Sequence, residues 1–285
     1  MERPKRENVM LCYPADEGRV ARLGEKFFVQ PKLNGERCRV EWFHGEPVLL
    51  SSYGNVIKGL EHIQQDLMAL ATKCGQCEFD GELYVHGMTW SQIVSIVGRT
   101  VNRHPDAASM QYHIFDTQNP TAPQVGRLLT LKGGFDKINN EAPALHLVET
   151  SVCAQGDQWQ ACSEFTDQGY EGIIMRDPLA LYHRKRNVCI IKYKPTESDE
   201  YEIVEVLEAI SKEGEPKNMV GAFLVKGDDG TVFKVGAGKM KHPRRTALWQ
   251  KRQFLTGLLL MVKHEQLRTV NDIPIACVAV DVKGV

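Results

Sequence analysis

The pattern of apolar residues changes at Lys194–Asp199 (KPTESD), and that change limits the folds open to this chain. Before it, helical and strand periodicities alternate. After it, nearly every apolar run is short and strand-like. A proline among polar residues between two strand signals reads as a linker. We therefore expect two domains, residues 1–196 and 197–285. In the second, Tyr201 to Ala209 alternates. Ala222–Val225 and Thr231–Val235 flank the turn Gly227-Asp228-Asp229-Gly230, which makes a hairpin. A helix over residues 243–254 opens with Pro243, and Ile273 to Val282 forms a closing strand. Several short strands in so few residues predict a small β-barrel of the OB-fold kind.

The first domain mixes element types. Residues 38–50 read as a hairpin turning at His44-Gly45. Leu60, Ile63, Leu67 and Leu70 share one face of a helix over 59–73. Trp90 to Val97 reads as a short helix capped by Thr89 or Ser91. Strands are expected at Glu78–Val85, Tyr112–Asp116, Tyr170–Arg176 and Val188–Tyr193.

The 285 residues are enough for two cores, and 42% apolar with 25% charged residues is globular composition. No apolar run approaches the roughly 20 residues that cross a bilayer. The first ten residues, MERPKRENVM, are charged and lack the apolar core of a signal peptide. These features predict a cytoplasmic protein with no membrane partner and with reduced thiols. Of eight cysteines only Cys74 and Cys77 form a CxxC, and no second pair stands at zinc-ligand spacing. The expectation there is two ordinary thiols before a strand. The net charge of -1 is not that of a basic nucleic-acid coat, but binding depends on how charge is distributed.

The sharpest segment is Lys32-Leu33-Asn34-Gly35-Glu36-Arg37, which follows the apolar run Phe27-Phe28-Val29. Alone, KxxG is a common surface turn. Four more segments follow: Asp80–Tyr84 (DGELY), Tyr112–Asp116 (YHIFD), Glu171–Arg176 (EGIIMR) and Ile190–Lys194 (IIKYK). Singly, each has an ordinary explanation: Phe115 as core, Glu82 and Glu171 as surface carboxylates, Lys192 and Lys194 as a solvated strand face. In this order and at these separations, the five resemble the covalent nucleotidyltransferases: DNA ligases, RNA ligases and mRNA capping enzymes. The resemblance spans about two-thirds of the chain.

The residue types suit that chemistry. A nucleophilic lysine must lose its proton, and an exposed one has a pKa of about 10.4. Nearby cations and partial burial favour the neutral amine. The resemblance implies that Lys32 attacks the α-phosphate of a nucleotide. It further implies that Phe115 stacks on the purine, Arg37 contacts the ribose, and the backbone near Gln30 reads the base edge. Lys192 and Lys194 would hold the α-phosphate. Glu171, with Glu82, would hold Mg²⁺ or Mn²⁺, hard cations that take oxygen ligands; Glu82 is alternatively a ribose ligand.

An OB-like domain after IIKYK points to DNA ligases and capping enzymes. QPKLNGERC, Trp90–Ser95 and the Leu248-Trp249 helix resemble the small ATP-dependent DNA ligases of phages and bacteria. Before Lys32 there is no room for the domain that binds nicotinamide mononucleotide in NAD-dependent ligases, so ATP is the implied cofactor. The implied partner is nicked double-stranded DNA, bound by a monomer. Two basic clusters are candidate phosphate contacts: Arg184 and Arg186 around Lys185, and Lys239, Arg244 and Arg245, with Lys241, Lys251 and Arg252 nearby. An RNA ligase, a capping-type nucleotidyltransferase and a catalytically inactive duplex-binding relative are the alternatives.

Three positions depart from the ligase pattern. Asn34 stands where most members carry Asp. Ser51-Ser52-Tyr53-Gly54 lacks the arginine of Ser-Arg-x-Gly. At the C-terminus, where ligases carry basic residues that orient pyrophosphate, the candidates are only Asp281, which is acidic, and Lys283.

Overall fold

The computed structural model describes residues 8–75, 77–139, 141–265, 273, 274 and 276–285. The sequence reading of the extreme N-terminus falls largely outside them. The chain divides into two compact units, Met1–Tyr193 and Lys194–Val285.

The first unit runs β1 (Leu11–Pro14), α1 (Glu17–Ala21), β2 (Lys26–Pro31), β3 (Glu36–Phe43), β4 (Glu46–Ser51), α2 (Glu61–Cys74), β5 (Phe79–Tyr84) and α3 (Trp90–Val97). It continues with β6 (Gln111–Thr117), α4 (Gln124–Ile138), β7 (Leu145–Leu147), β8 (Ser151–Ala154), α5 (Gln158–Asp167), β9 (Ile173–Arg176) and β10 (Arg186–Tyr193). The strands form two five-stranded sheets, β1-β10-β9-β2-β8 and β4-β3-β5-β6-β7. Each is antiparallel except at one edge, where β1 joins β10 and β7 joins β6 in parallel.

Local sequence explains much of this. Ile63, Leu67 and Leu70 are the buried stripe of α2, spaced to fall on one helix face. They pack with Val40, Leu49, Phe79, Leu83 and Tyr112 into the larger apolar core. Each such side chain contributes about 1.5–3 kcal/mol by leaving water. Thr89, not Ser91, caps α3: Thr89 and Gln92 form a reciprocal capping box that satisfies two orphan N–H groups. A smaller core of Val20, Phe27, Val29, Phe165, Met175 and Ile191 lies on the first sheet.

The second unit is a closed barrel of β11 (Thr196–Ile210), β12 (Pro216–Lys226), β13 (Val232–Gly236), β14 (Leu259–Glu265) and β15 (Val278–Val282), in the order β11-β12-β13-β15-β14. Helix α6 (His242–Gln250) joins β13 to β14. This is the expected OB-fold barrel, filled by Ile203, Val220, Phe223, Val225, Val235, Leu248, Leu260 and Val262.

Several boundaries differ from the sequence reading. The expected linker is mostly strand, because β11 begins at Thr196. Its polar residues lie on the outer side of a barrel strand while Tyr201 and Ile203 face in. The helix expected over 243–254 breaks after Gln250, and a short 3-10 turn covers Arg252–Phe254. The closing strand is Val278–Val282. Tyr170, Glu171 and Gly172 precede β9 as a loop.

Candidate active site

Lys32 follows the last residue of β2, and its backbone is held from both sides. Its N–H donates to the Gly172 carbonyl (2.8 Å), and the Glu171 N–H donates to the Lys32 carbonyl (3.1 Å). Gly172 has φ of 143°, a conformation that favours glycine. This bend takes the loop out of strand geometry and turns the Glu171 carboxylate onto the lysine. The Lys32 amine and that carboxylate form an ion pair, with 18% and 6% of the two side chains exposed.

The glycine three residues after Lys32 has a steric cause. A Cβ on Gly35 would stand 2.3 Å from the Leu83 carbonyl oxygen and 2.8 Å from Glu82 Cγ. Only glycine lets β3 start against β5, and that start sets the register that pairs Arg37 with Glu82. Burial pushes the Glu82 carboxyl up to about 7, against the pull of Arg37 and Lys32. Two carboxylates and two cations thus interact at one place.

Arg37 is fixed by Asp80, which accepts from Nε at 2.7 Å and from Nη2 at 2.6 Å. Burial works to lower the Arg37 pKa, but Asp80 outweighs it and holds the guanidinium well above its ordinary value. Asp80 also accepts from the Tyr182 hydroxyl at 2.6 Å. The Arg37 guanidinium lies 4.6 Å from the centre of the Phe115 ring, and that of Arg176 lies 5.1 Å from it. Arg176 donates to Gln30 Oε1 (2.7 Å) and to Asp116 (2.9 Å), and Asp116 also holds the fully buried Arg127. Gln30 Nε2 donates to Thr150 Oγ1 at 2.8 Å.

Gln30, Ile174 and Lys192 are cross-strand neighbours on β2, β9 and β10, so the three side chains share one face of the first sheet. Gln30, Lys32, Arg37, Glu82, Phe115, Glu171 and Lys192 all belong to the first unit. Lys194 is the first residue of the second, and its amine pairs with Glu265 at 3.0 Å.

The candidate DNA contacts are spread over both units. Arg184 pairs with Glu78, and Arg186 opens β10 and donates to the Cys12 carbonyl. In the barrel, Lys239 is exposed before α6. Arg244 binds Asp281 (2.7 Å) and the Val285 carbonyl (2.8 Å), and Arg245 Nε donates to the Val220 carbonyl (2.6 Å). Lys283 pairs with Glu200. Ser52 is buried, and the Ser51 hydroxyl accepts from the Tyr53 and Asn55 N–H groups.

Sequence reasoning gave no role to Asp80, Asp116, Arg127, Arg176 or Tyr182, the groups that orient the site. One signal was present: a charge inside an otherwise apolar strand, as in EGIIMR, marks a side chain that must find a buried partner.

No protein-family model matches the sequence, and no curated protein matches it. Among solved structures, one described as Pmar-Lig_PreS3 superposes with a TM-score of 0.83 at 19% identity, over 98% of this chain and 68% of that one. A Lig E DNA ligase, from a study of DNA binding with a minimal scaffold, gives 0.74 at 20% identity over 97% and 99%. The ATP-dependent DNA ligase of bacteriophage T7 in complex with ATP gives 0.55 at 14% identity over 97% and 98%. No helix among the described residues is long and apolar enough to cross a membrane. The chain therefore has the fold of these DNA ligase structures: a mixed α+β nucleotidyltransferase domain followed by an OB-fold barrel.

Proposed function

We propose that this protein is an ATP-dependent DNA ligase that seals nicks in duplex DNA through a lysyl-AMP at Lys32. The observation that carries the proposal is the placement of Lys32: a half-buried amine against the Glu171 carboxylate, fixed by the two backbone hydrogen bonds to Glu171 and Gly172, with a Glu82 carboxyl that interacts with both Lys32 and Arg37. An exposed surface lysine has none of this.

In the first step the Lys32 ammonium gives its proton to the paired Glu171 carboxylate, the neutral amine attacks the α-phosphorus of ATP, a P–N bond forms, and pyrophosphate leaves. In the second, the 5′-phosphate oxygen at a nick attacks that phosphorus, and AMP moves to the DNA as Lys32 is released. In the third, the 3′-hydroxyl attacks the 5′-phosphorus, closes the phosphodiester and expels AMP. Phe115 offers a π face to the adenine, Arg37 and Glu82 offer polar groups to the ribose, and Lys192 with Lys194 neutralises the α-phosphate. Gln30 anchors the base end through Thr150 and Arg176.

The residues also fit a divalent cation. Glu171 and Glu82 would supply two hard oxygen donors. That donor set suits Mg²⁺, or Mn²⁺ in its place, which keeps most of its waters and is completed by phosphate oxygens. Such an ion supplies charge stabilisation for the phosphorus oxygens. Glu171 then has two roles, as partner of the Lys32 amine and as cation ligand.

Arg184, Arg186, Lys239, Arg244 and Arg245 are proposed phosphate contacts for a monomer on the duplex. Asn34 keeps the hydrogen-bonding capacity of the usual Asp without its charge.

The test is intact mass after incubation with ATP and Mg²⁺, followed by peptide mapping. A gain of one AMP at Lys32 is the expected outcome. Labelling from GTP alone would assign capping-type chemistry, and sealing of nicked RNA but not nicked DNA would make it an RNA ligase. Duplex binding with no adduct at all would leave only an inactive relative.

A further inference from the structure

The candidate site draws on two sheets. Lys32 follows β2 and Glu171 precedes β9, and these strands are neighbours in the first sheet. Arg37 and Glu82 pair across β3 and β5 of the second. The residue just before Glu171 stands where the two meet.

Tyr170 lies in the loop between α5 and β9. Its N–H donates to the Phe165 carbonyl of α5 at 3.0 Å. Its half-buried ring packs against both apolar cores of the first unit, the larger one around α2 and the smaller one on the first sheet. Phe165 of the smaller core meets the ring edge-on, with centroids 5.9 Å apart. From the second sheet come Tyr84, the last residue of β5, at 6.5 Å, and His86, two residues on, at 5.0 Å.

Tyr84 is held in turn. Its hydroxyl and His86 Nδ1 are 2.8 Å apart, and its ring meets His113 of β6 edge-on at 5.2 Å. His113 stacks on His146 of β7 at 4.7 Å. A chain of ring contacts across three neighbouring strands therefore ends at Tyr170. The separations are those that aromatic pairs prefer. Tyr84 and Glu82 stand two apart on β5, so their side chains share one face of the second sheet.

We propose that Tyr170 is a positioning residue: its ring, packed on Tyr84 and His86, sets the Glu171 carboxylate on the Lys32 amine at the joint between the two sheets. This rests on the reading of Lys32 as the nucleophile. The backbone hydrogen bonds from Lys32 to Gly172 and from Glu171 to Lys32 hold the loop to the first sheet. The Tyr170 ring ties the same loop to the second, where Glu82 stands. A displacement of about 1 Å can cost about 10²-fold in rate. A small shift of this loop should therefore slow the chemical step while the fold persists.

The test compares Tyr170→Leu and Tyr170→Phe with the parent chain in two measurements. The first is single-turnover adenylation with labelled ATP and Mg²⁺ over a range of ATP concentrations. Tyr170→Leu keeps apolar bulk but loses the flat face. It should lower the saturating rate about 10- to 100-fold and move the half-saturating ATP concentration less than about threefold. Tyr170→Phe keeps the ring and should recover the parent rate to within about threefold.

The second measurement is amide hydrogen exchange without nucleotide. In Tyr170→Leu the Lys32 and Glu171 N–H groups should exchange at least about tenfold faster than in the parent, while the amides of α2 and of the barrel keep their protection. A parental adenylation rate in Tyr170→Leu overturns the proposal, and so does a Tyr170→Phe as slow as Tyr170→Leu. An equal loss of protection in α2 would make Tyr170 a filler of the core and overturns it as well. If the parent itself takes no AMP, the ligase reading fails, and the exchange result alone decides whether Tyr170 holds Glu171 on Lys32.

Discussion

The two units fill their interiors by different rules. In the first, Gln30, Asp80, Asp116, Gln124, Arg127, Glu171 and Arg176 are all buried among apolar side chains. In the barrel, His264 is the buried polar side chain among the described residues, and the rest of its interior is Val, Ile, Leu, Phe, Tyr, Met and Ala. Burying a charge is costly unless it is paired, and even a paired charge contributes little net stability. The first unit therefore spends part of its interior on holding charges in place, while the barrel uses its interior for cohesion. The proposed chemistry falls in the unit that buries these charges.

The largest effect that tests this contrast is chemical. Lys32→Ala should lower adenylation by at least about 10⁴-fold while the thermal unfolding of the chain stays near that of the parent. Measurable adduct on the variant would remove Lys32 as the nucleophile. Next comes the charge network. Asp116→Ala leaves Arg127 and Arg176 without their carboxylate and should cost about 3–5 kcal/mol in denaturant unfolding. A cost below about 1 kcal/mol would mean that the network is not what organises the first unit. The matching change in the barrel, Leu260→Ala, removes a fully buried apolar side chain and should cost about 2–5 kcal/mol by leaving a cavity.

The stability of the first unit should also depend on pH. Burial holds the folded-state Glu82 carboxyl up, near 7, and the folded-state His113 imidazole down, near 3, with His146 and His86 adding to the latter. The raised carboxyl favours the fold below its unfolded pKa, and this contribution is lost as pH rises toward 7. The lowered imidazole favours the fold above its unfolded pKa, and this is lost as pH falls toward 3. The first unit should therefore weaken on both sides of a mildly acidic optimum. Glu82→Gln should gain about 1–3 kcal/mol at pH 8 and little near pH 4.5. Equal gains at both values would contradict the assignment. The smallest effect belongs to the surface. Lys239→Ala should weaken duplex binding only a few-fold and reduce the salt slope by about one.

The parts of the fold legible in the sequence are those where one local signal decides. The hairpin of β3 and β4, the apolar face of α2, the Thr89 cap of α3 and the barrel hairpin at Gly227–Gly230 are of this kind. What was not legible depends on distant partners. Helix α4 carries Gly133-Gly134 in its interior, a weak helical signal. Gly134 is there because Cys74 and Leu70 of α2 approach its backbone. The polar run at the start of β11 looked like a linker because its pairing partner, β14, lies far along the chain. Two of the motifs supply Glu171 and Glu82, which interact with Lys32. They did not reveal that Asp80 and Asp116 are the fixed points on which Arg37 and Arg176 turn.

The reciprocal hydrogen bonds between Lys32 and the Glu171–Gly172 loop join segments 139 residues apart. The proposed nucleophile, built from an early segment and a stretch near the end of the same unit, cannot ripen piecemeal. During synthesis the lysine emerges early and stays an ordinary amine until the last two strands of the first sheet are in place. If the proposed adenylation is right, nucleotide capture doubles as a proofreading of completeness, because it waits for both segments.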